Sequence, residues 1–306
     1  YSNLLIQRDR LPSLLLSSNW YDLFLVKSMW DLNASNIKSL HFIALELLSM
    51  LADKIHNYRR REFLEPRLEV VTLDESNSNI PDVNEYTIIV DANESALIDD
   101  IRQLKSAFEI DGTDDFDSGR ETITGTNLDI HLFNPLLCSK SSKIKIQPVG
   151  LEPSEFTFVK DLKEWLKSNQ SSLSDTGEEL YLLRNQVKNG IGFFEAGNFY
   201  PDFILWRIWK EGKETKQRIV FIDPHGLQHE GAGTEKINFS DEIQKVQRRM
   251  GDEVELNSII LSPPKTMKSV ISARWGISED ELYNLNVFFM ADGEQYLDQV
   301  MRVVRK

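Results

Sequence analysis

The chain has 306 residues, 41% of them hydrophobic and 10% aromatic, enough for one large domain or two small ones with real cores. A net charge of −13 makes it an unpromising nucleic-acid binder on bulk electrostatics. No run is long enough to cross a bilayer, no charged-then-apolar leader stands at the start, and the single cysteine, Cys138, excludes an internal disulfide and suits a reducing cytoplasm.

The five histidines, at 41, 56, 131, 225 and 229, form no ligand-spaced cluster with Cys138, which argues against zinc. The charge is uneven. From residue 151 onward there are 20 Lys and Arg against 25 Asp and Glu, whereas the first 150 residues hold 15 against 23. The second part is closer to neutral and has room for a local basic face. The chain begins at Tyr1 and reads as a piece of a longer protein, or one whose start was trimmed.

Residues 1–64 read as helical. Ile37, Leu40, Ala44, Leu47, Leu48, Leu51 and Ile55 recur at three- and four-residue steps, the stripe of an amphipathic helix. Asn33 or Ser35 suits its start, and Arg59, Arg60 and Arg61 suit the negative end of its dipole. "LEVVTLDE" (68–75) and "YTIIVDA" (86–92) read as strands. Asn93 is the expected cap of a helix with Leu97, Ile101, Leu104 and Phe108 on one face. The acidic, Gly- and Thr-rich stretch 110–126 reads as a surface loop or a domain boundary.

Strands are expected over 127–137 and 142–151, then a helix over 154–169 capped by Ser154, with Phe158, Leu162, Trp165 and Leu166 on one face. Residues 178–186 read as strand or helix end. One or two strands follow in "GIGFFEAGNFYPDFILWRIWK", and another in "RIVFIDPHGL". An amphipathic helix over 237–250 uses Ile243, Val246 and Met250. Strands at 254–264 and 286–292 and a helix at 294–306 complete the chain. From Ser154 on, the order is helix, two or three strands, helix, strand, an α/β pattern.

Two of these strands end in acids beside prolines: Pro201–Asp202 and Asp223–Pro224. Each acid alone has a bland explanation, a turn before a strand for Asp202 and a strand end for Asp223. Together they suit a hard cation. Mg²⁺ takes oxygen ligands, often one or two carboxylates with water and phosphate oxygens. The Pro224 carbonyl is a further oxygen, because proline loses only its N–H. Strand ends are also where open α/β sheets are reached by ligands.

"YPDFILW" followed by "IVFIDPHGL" resembles the PD-(D/E)xK nuclease signature, with Asp202 and Asp223 as its acids and His225 in the lysine position. With "IHLFNPLL", "IQPVGLEPSEFTFVKDL" and "ELYLLRN", the resemblance extends over residues 127–306 and is closer to the C-terminal nuclease region of DEAD/DEAH-box helicases of the type III restriction subunit kind. It implies a restriction-endonuclease-like mixed sheet flanked by helices in 127–306, preceded by a mainly helical connector in 1–126. It also implies a Mg²⁺- or Mn²⁺-dependent DNA endonuclease acting in restriction or anti-phage defence. The helicase motor would lie elsewhere in a longer chain or in a partner subunit, since no GxxxxGK[ST] phosphate loop is present.

In that reading Asp202, Asp223 and the Pro224 carbonyl hold the metal and Glu155 assists, with Glu164 on the same helix as the fallback. An acid in the first helical turn also suits the dipole with no catalytic task. His225 orients the attacking water, takes its proton, binds a phosphate oxygen, or has no chemical part; Lys236 or Lys245 is an alternative source of the missing cation. Arg248 and Arg249 read as a solvated helix face before phosphate contacts, His229 and Glu230 as loop residues, and Trp206 and Trp209 as core or interface before base-stacking platforms. The competing expectation is a degenerate nuclease fold serving as a non-catalytic DNA- or protein-binding module.

Overall fold

The computed structural model describes residues 86–111, 115–117, 123–186 apart from 140 and 148, 200–224, 254–263 and 268–306, with part of 45–63 and of 239–248. Contacts divide the chain into two units, Tyr1–Val71 and Thr72–Lys306. In the first, the described residues between 45 and 63 are helical, as the periodicity predicts. Leu48, Leu51 and Ile55 of the apolar stripe are exposed, and so is Arg59. Ile37, Leu40, Ala44, Leu47, Arg60 and Arg61, the cap candidates Asn33 and Ser35, and the strand expected at 68–75 lie outside the described residues.

The second unit opens with β1 (Thr87–Val90) and α1 (Ser95–Asp111). Asn93 does not cap α1. Its N–H and side-chain amide both bond the Asp91 carboxylate, and the Glu94 carbonyl accepts from Ile98 instead. Leu97, Ile101 and Leu104 are half-buried together, as their spacing predicts. Next come β2 (Asp115–Asp117), β3 (Ile123–Thr126), β4 (Leu136–Ser139) and β5 (Ile144–Gln147).

The expected surface loop at 110–126 is corrected here. β3 is the buried middle strand of the sheet β2–β3–β4. Its Thr–Gly–Thr run, poor in large apolar groups, is buried by neighbours on both sides rather than by its own hydrophobicity. A boundary between 126 and 127 would cut the β3–β4 pairing, and β1 pairs with β5 across it as well.

The larger sheet has the order β10–β9–β8–β7–β6. It is built from α2 (Pro153–Thr176), β6 (Glu179–Arg184), β7 (Phe203–Glu211), β8 (Glu214–Asp223), a helical segment within 239–247, and β9 (Val254–Ser262). Then come α3 (Lys268–Trp275), α4 (Glu279–Asn284), β10 (Val287–Phe289), a short 3-10 turn (Met290–Asp292) and α5 (Glu294–Arg305). β6, β7 and β8 are antiparallel; β8, β9 and β10 are parallel. It is a mixed sheet flanked by helices. Pro153 starts α2 one residue before the expected Ser154 cap, its fixed φ being preorganised for the first helical position.

Side chains alternate across this sheet. Phe203, Leu205, Val220, Ile222, Ile259 and Leu261 share one core with Phe158 and Leu162 of α2 and with Tyr296 and Val300 of α5. Ile204, Phe221 and Leu256 share another with Phe239 and Ile243. Continuous apolar runs such as "IVFI" are the signature of strands covered on both faces. No helix among the described residues is long and apolar enough to cross a membrane.

Far from the acid end, Arg207 and Arg218 oppose each other on β7 and β8. Two cations side by side repel, and here they are compensated. Arg207 bonds both Glu178 oxygens, and Arg218 bonds Glu255. Arg207 also reaches the Arg305 carbonyl, and Arg218 the Val303 and Val304 carbonyls, which α5 leaves without helical partners. Burial pushes the Glu178 carboxyl up, but hydrogen bonds from Arg207 and Arg305 outweigh it and hold the group below its ordinary range. Trp209 lies beneath both guanidiniums, 4.2 Å from Arg207 and 5.8 Å from Arg218. It is a platform for this anchor of the last helix.

Candidate functional site

The turn between β7 and β8 sets the geometry of the acid end. Glu211 and Glu214 close a two-residue loop in which Gly212 has φ 64°. A glycine with positive φ at the first loop position is what a tight hairpin of this twist needs. The register it imposes runs down the whole hairpin to the pair Phe203–Ile222. Asp202 comes just before that last pair on one side, and Asp223 is the last residue of β8 on the other. Both acids are buried, at 6% and 4% exposure, and Pro224 is buried behind Asp223.

The end of β6 closes on the same place. Asn185, fully buried, donates its N–H to the Asp202 carbonyl at 2.7 Å and its side-chain amide to the Pro201 carbonyl at 2.8 Å. Arg184 sits between β7 and α2. Its Nε and Nη2 donate to the two oxygens of Glu155 at 3.0 and 2.9 Å, and its Nη1 to the carbonyls of Asn185 and Asp202. Its Nη2 also stands 3.5 Å from Asp202 Oδ1. Glu155 is in turn pinned to the start of α2, where Oε2 accepts the Glu152 N–H at 3.0 Å.

His131 supports this cluster from behind. Its Nε2 accepts the backbone N–H of Arg184 at 2.8 Å, so the proton sits on Nδ1, beside the Phe133 carbonyl at 2.5 Å. Burial, joined by the nearby Arg184 charge, pulls the imidazole down to about 3, against a weaker opposing pull from the Phe133 carbonyl. The unfolded chain takes this proton near pH 6.5 and the folded one does not. The contribution of His131 is therefore fully present above pH 6.5 and is lost as pH falls toward 3, at about 1.4 kcal/mol per pH unit. His131→Gln should flatten the pH dependence of stability between pH 6 and 4 by about that slope, measured by urea unfolding. An unchanged slope removes His131 as the source.

Asp202 and Asp223 both lie at the same end of the β7–β8 hairpin, and Arg184 links Glu155 to the Asp202 end. Glu164 is exposed more than two helical turns along α2. His225, His229, Glu230, Lys236, Lys245 and Arg249 lie outside the described residues; Arg248 is exposed. Trp206 is half-buried against the core, as expected. The residues missed by sequence reasoning are Arg184, Asn185 and His131. The signal for the first two was an arginine and an asparagine ending the apolar run "LYLL", a place where polar groups must find buried partners.

Two carboxylates and a proline carbonyl are hard oxygen donors that fit Mg²⁺, for which one or two carboxylates suffice. The buried Ser262 Oγ, on β9 two residues past the partner of Asp223, finds no hydrogen-bond partner among the described residues. It is a polar group at the same sheet end that a water or ligand would satisfy. Among the described residues no group of three or more His, Cys, Asp or Glu is placed to hold an ion. Comparison with protein-family models, with curated proteins and with solved structures finds no match to this chain.

Proposed function

We propose that the unit Thr72–Lys306 contains a restriction-endonuclease-like domain of the PD-(D/E)xK kind, hydrolysing DNA phosphodiester bonds with Mg²⁺ or Mn²⁺. The observation that carries the reading is the burial of Asp202 and Asp223 beside Phe203–Ile222, the last pair of the β7–β8 hairpin. The order of helix, three antiparallel strands, helix and parallel strand supports the finer fold. Bound there, the ion would supply Lewis-acid polarisation of the phosphate.

The chain's own residues do the positioning. Asp202 and Asp223 hold the ion with the Pro224 carbonyl. Arg184 and Asn185 fix the backbone that carries Asp202. Glu155 acts by fixing Arg184. His225, directly after Pro224, is assigned to the attacking water, which it orients or deprotonates. In this proposal the domain is the C-terminal part of a helicase–nuclease in restriction or anti-phage defence, and the motor lies in the same longer chain or a partner subunit.

The test combines Mn²⁺ titration by calorimetry with plasmid cleavage in Mg²⁺. Binding with cleavage supports the nuclease. Binding without cleavage assigns the fold to a non-catalytic DNA- or protein-binding module. Cleavage that survives chelation of all divalent ions overturns the metal mechanism.

A further inference from the structure

The free edge of the small β1–β5 sheet carries an inference independent of the metal site. β1 pairs with β5 on one side, and among the described residues no strand pairs with it on the other. The backbone N–H and C=O groups of a paired strand point alternately to its two sides, so half of those in Thr87–Val90 face out from this edge. Sheets guard such an edge with lysine, proline, a bulge or shortness. β1 has only its shortness. Its residues, Thr-Ile-Ile-Val, are all β-branched and uncharged, the composition that favours extended pairing. A lysine does stand opposite Ile89, but it is Lys145 on β5. Ile89 is 47% exposed, with Thr87 exposed on the same face.

We propose that β1 is a self-association edge, which pairs antiparallel with β1 of a second copy of this chain and joins two β1–β5 sheets into one. Because outward groups alternate, two identical strands pair only in registers that join positions of equal parity. The register centred on Ile89 sets Ile89 against its own counterpart, Ile88 against Val90 and Thr87 against Asp91. The neighbouring register, centred on Ile88, sets Asp91 against Glu85. Acids directly opposite each other repel, which selects the first. The contact is isologous and small, so the dimer is weak and reversible.

Three forms of the full chain test this. The wild type should show a monomer–dimer equilibrium by sedimentation, with a dissociation constant of about 10–100 µM. Ile89→Glu sets a carboxylate beside Lys145 within its own sheet, which suits the monomer, and two carboxylates together on the two-fold axis. The dimer should weaken by about tenfold or more. Ile89→Cys should form a disulfide-linked dimer with oxidised glutathione, since directly opposed Cα atoms lie about 4.5–5.5 Å apart. Lys145→Cys, one strand further from the axis on the same face, should not.

A wild type that stays monomeric well above that concentration range overturns the proposal. A dimer that Ile89→Glu leaves unchanged also overturns it, because its interface then lies elsewhere. A monomer in which the amides of Ile88, Ile89 and Val90 all exchange slowly with deuterium assigns the edge to another strand of the same chain, and overturns it too.

Discussion

Asp223→Asn should lower Mg²⁺-dependent plasmid cleavage by about a thousandfold or more, equivalent to about 4 kcal/mol of transition-state stabilisation. The substitution keeps the shape of the side chain and removes one of the two carboxylates proposed to hold the ion. The remaining one, Asp202, already shares an oxygen with Arg184. A hard divalent ion then loses its strongest donor, since an amide oxygen carries no net charge. The fold should not suffer in parallel. Two buried carboxylates at one end of a hairpin repel, and neutralising one relieves that repulsion. The expected signature is therefore a melting temperature at or above wild type with cleavage lost. Cleavage equal to wild type in the folded variant rejects Asp223 as a ligand.

Glu155→Met should destabilise the fold by about 3–5 kcal/mol, the usual consequence of removing one partner of a buried ion pair. Glu155 is fully buried and meets Arg184 through both oxygens. Its loss leaves a guanidinium in the protein interior with two donors unpaired, and also removes the acceptor of the Glu152 N–H. Adding Arg184→Met should recover much of the loss, so a double-mutant cycle by urea denaturation should show a large coupling energy. This separates a structural from a catalytic Glu155. If Glu155→Met leaves stability intact while abolishing cleavage, the residue works on the metal or substrate directly.

Much of the fold was legible because it follows from local chemistry. The two-face burial of β7 and β8 is written in "FILW" and "IVFI", and the apolar face of α2 in the spacing of Phe158 and Leu162. The stretch 110–126 misled because β3 has too few apolar side chains to announce burial; its neighbours β2 and β4 create the burial.

By itself, then, the sequence determined most of the larger sheet's strands, the main helices and the acids at two strand ends, since periodicity and turn residues act over a few residues. Only the tertiary structure decided what surrounds those acids. Glu155, Arg184 and Asp202 are separated by 29 and 18 positions. Nothing in their local sequence says that a helix start, a strand end and a hairpin base will share one guanidinium. That choice is made by burial, which removes water as a partner and obliges each charged or polar group to find another within the fold.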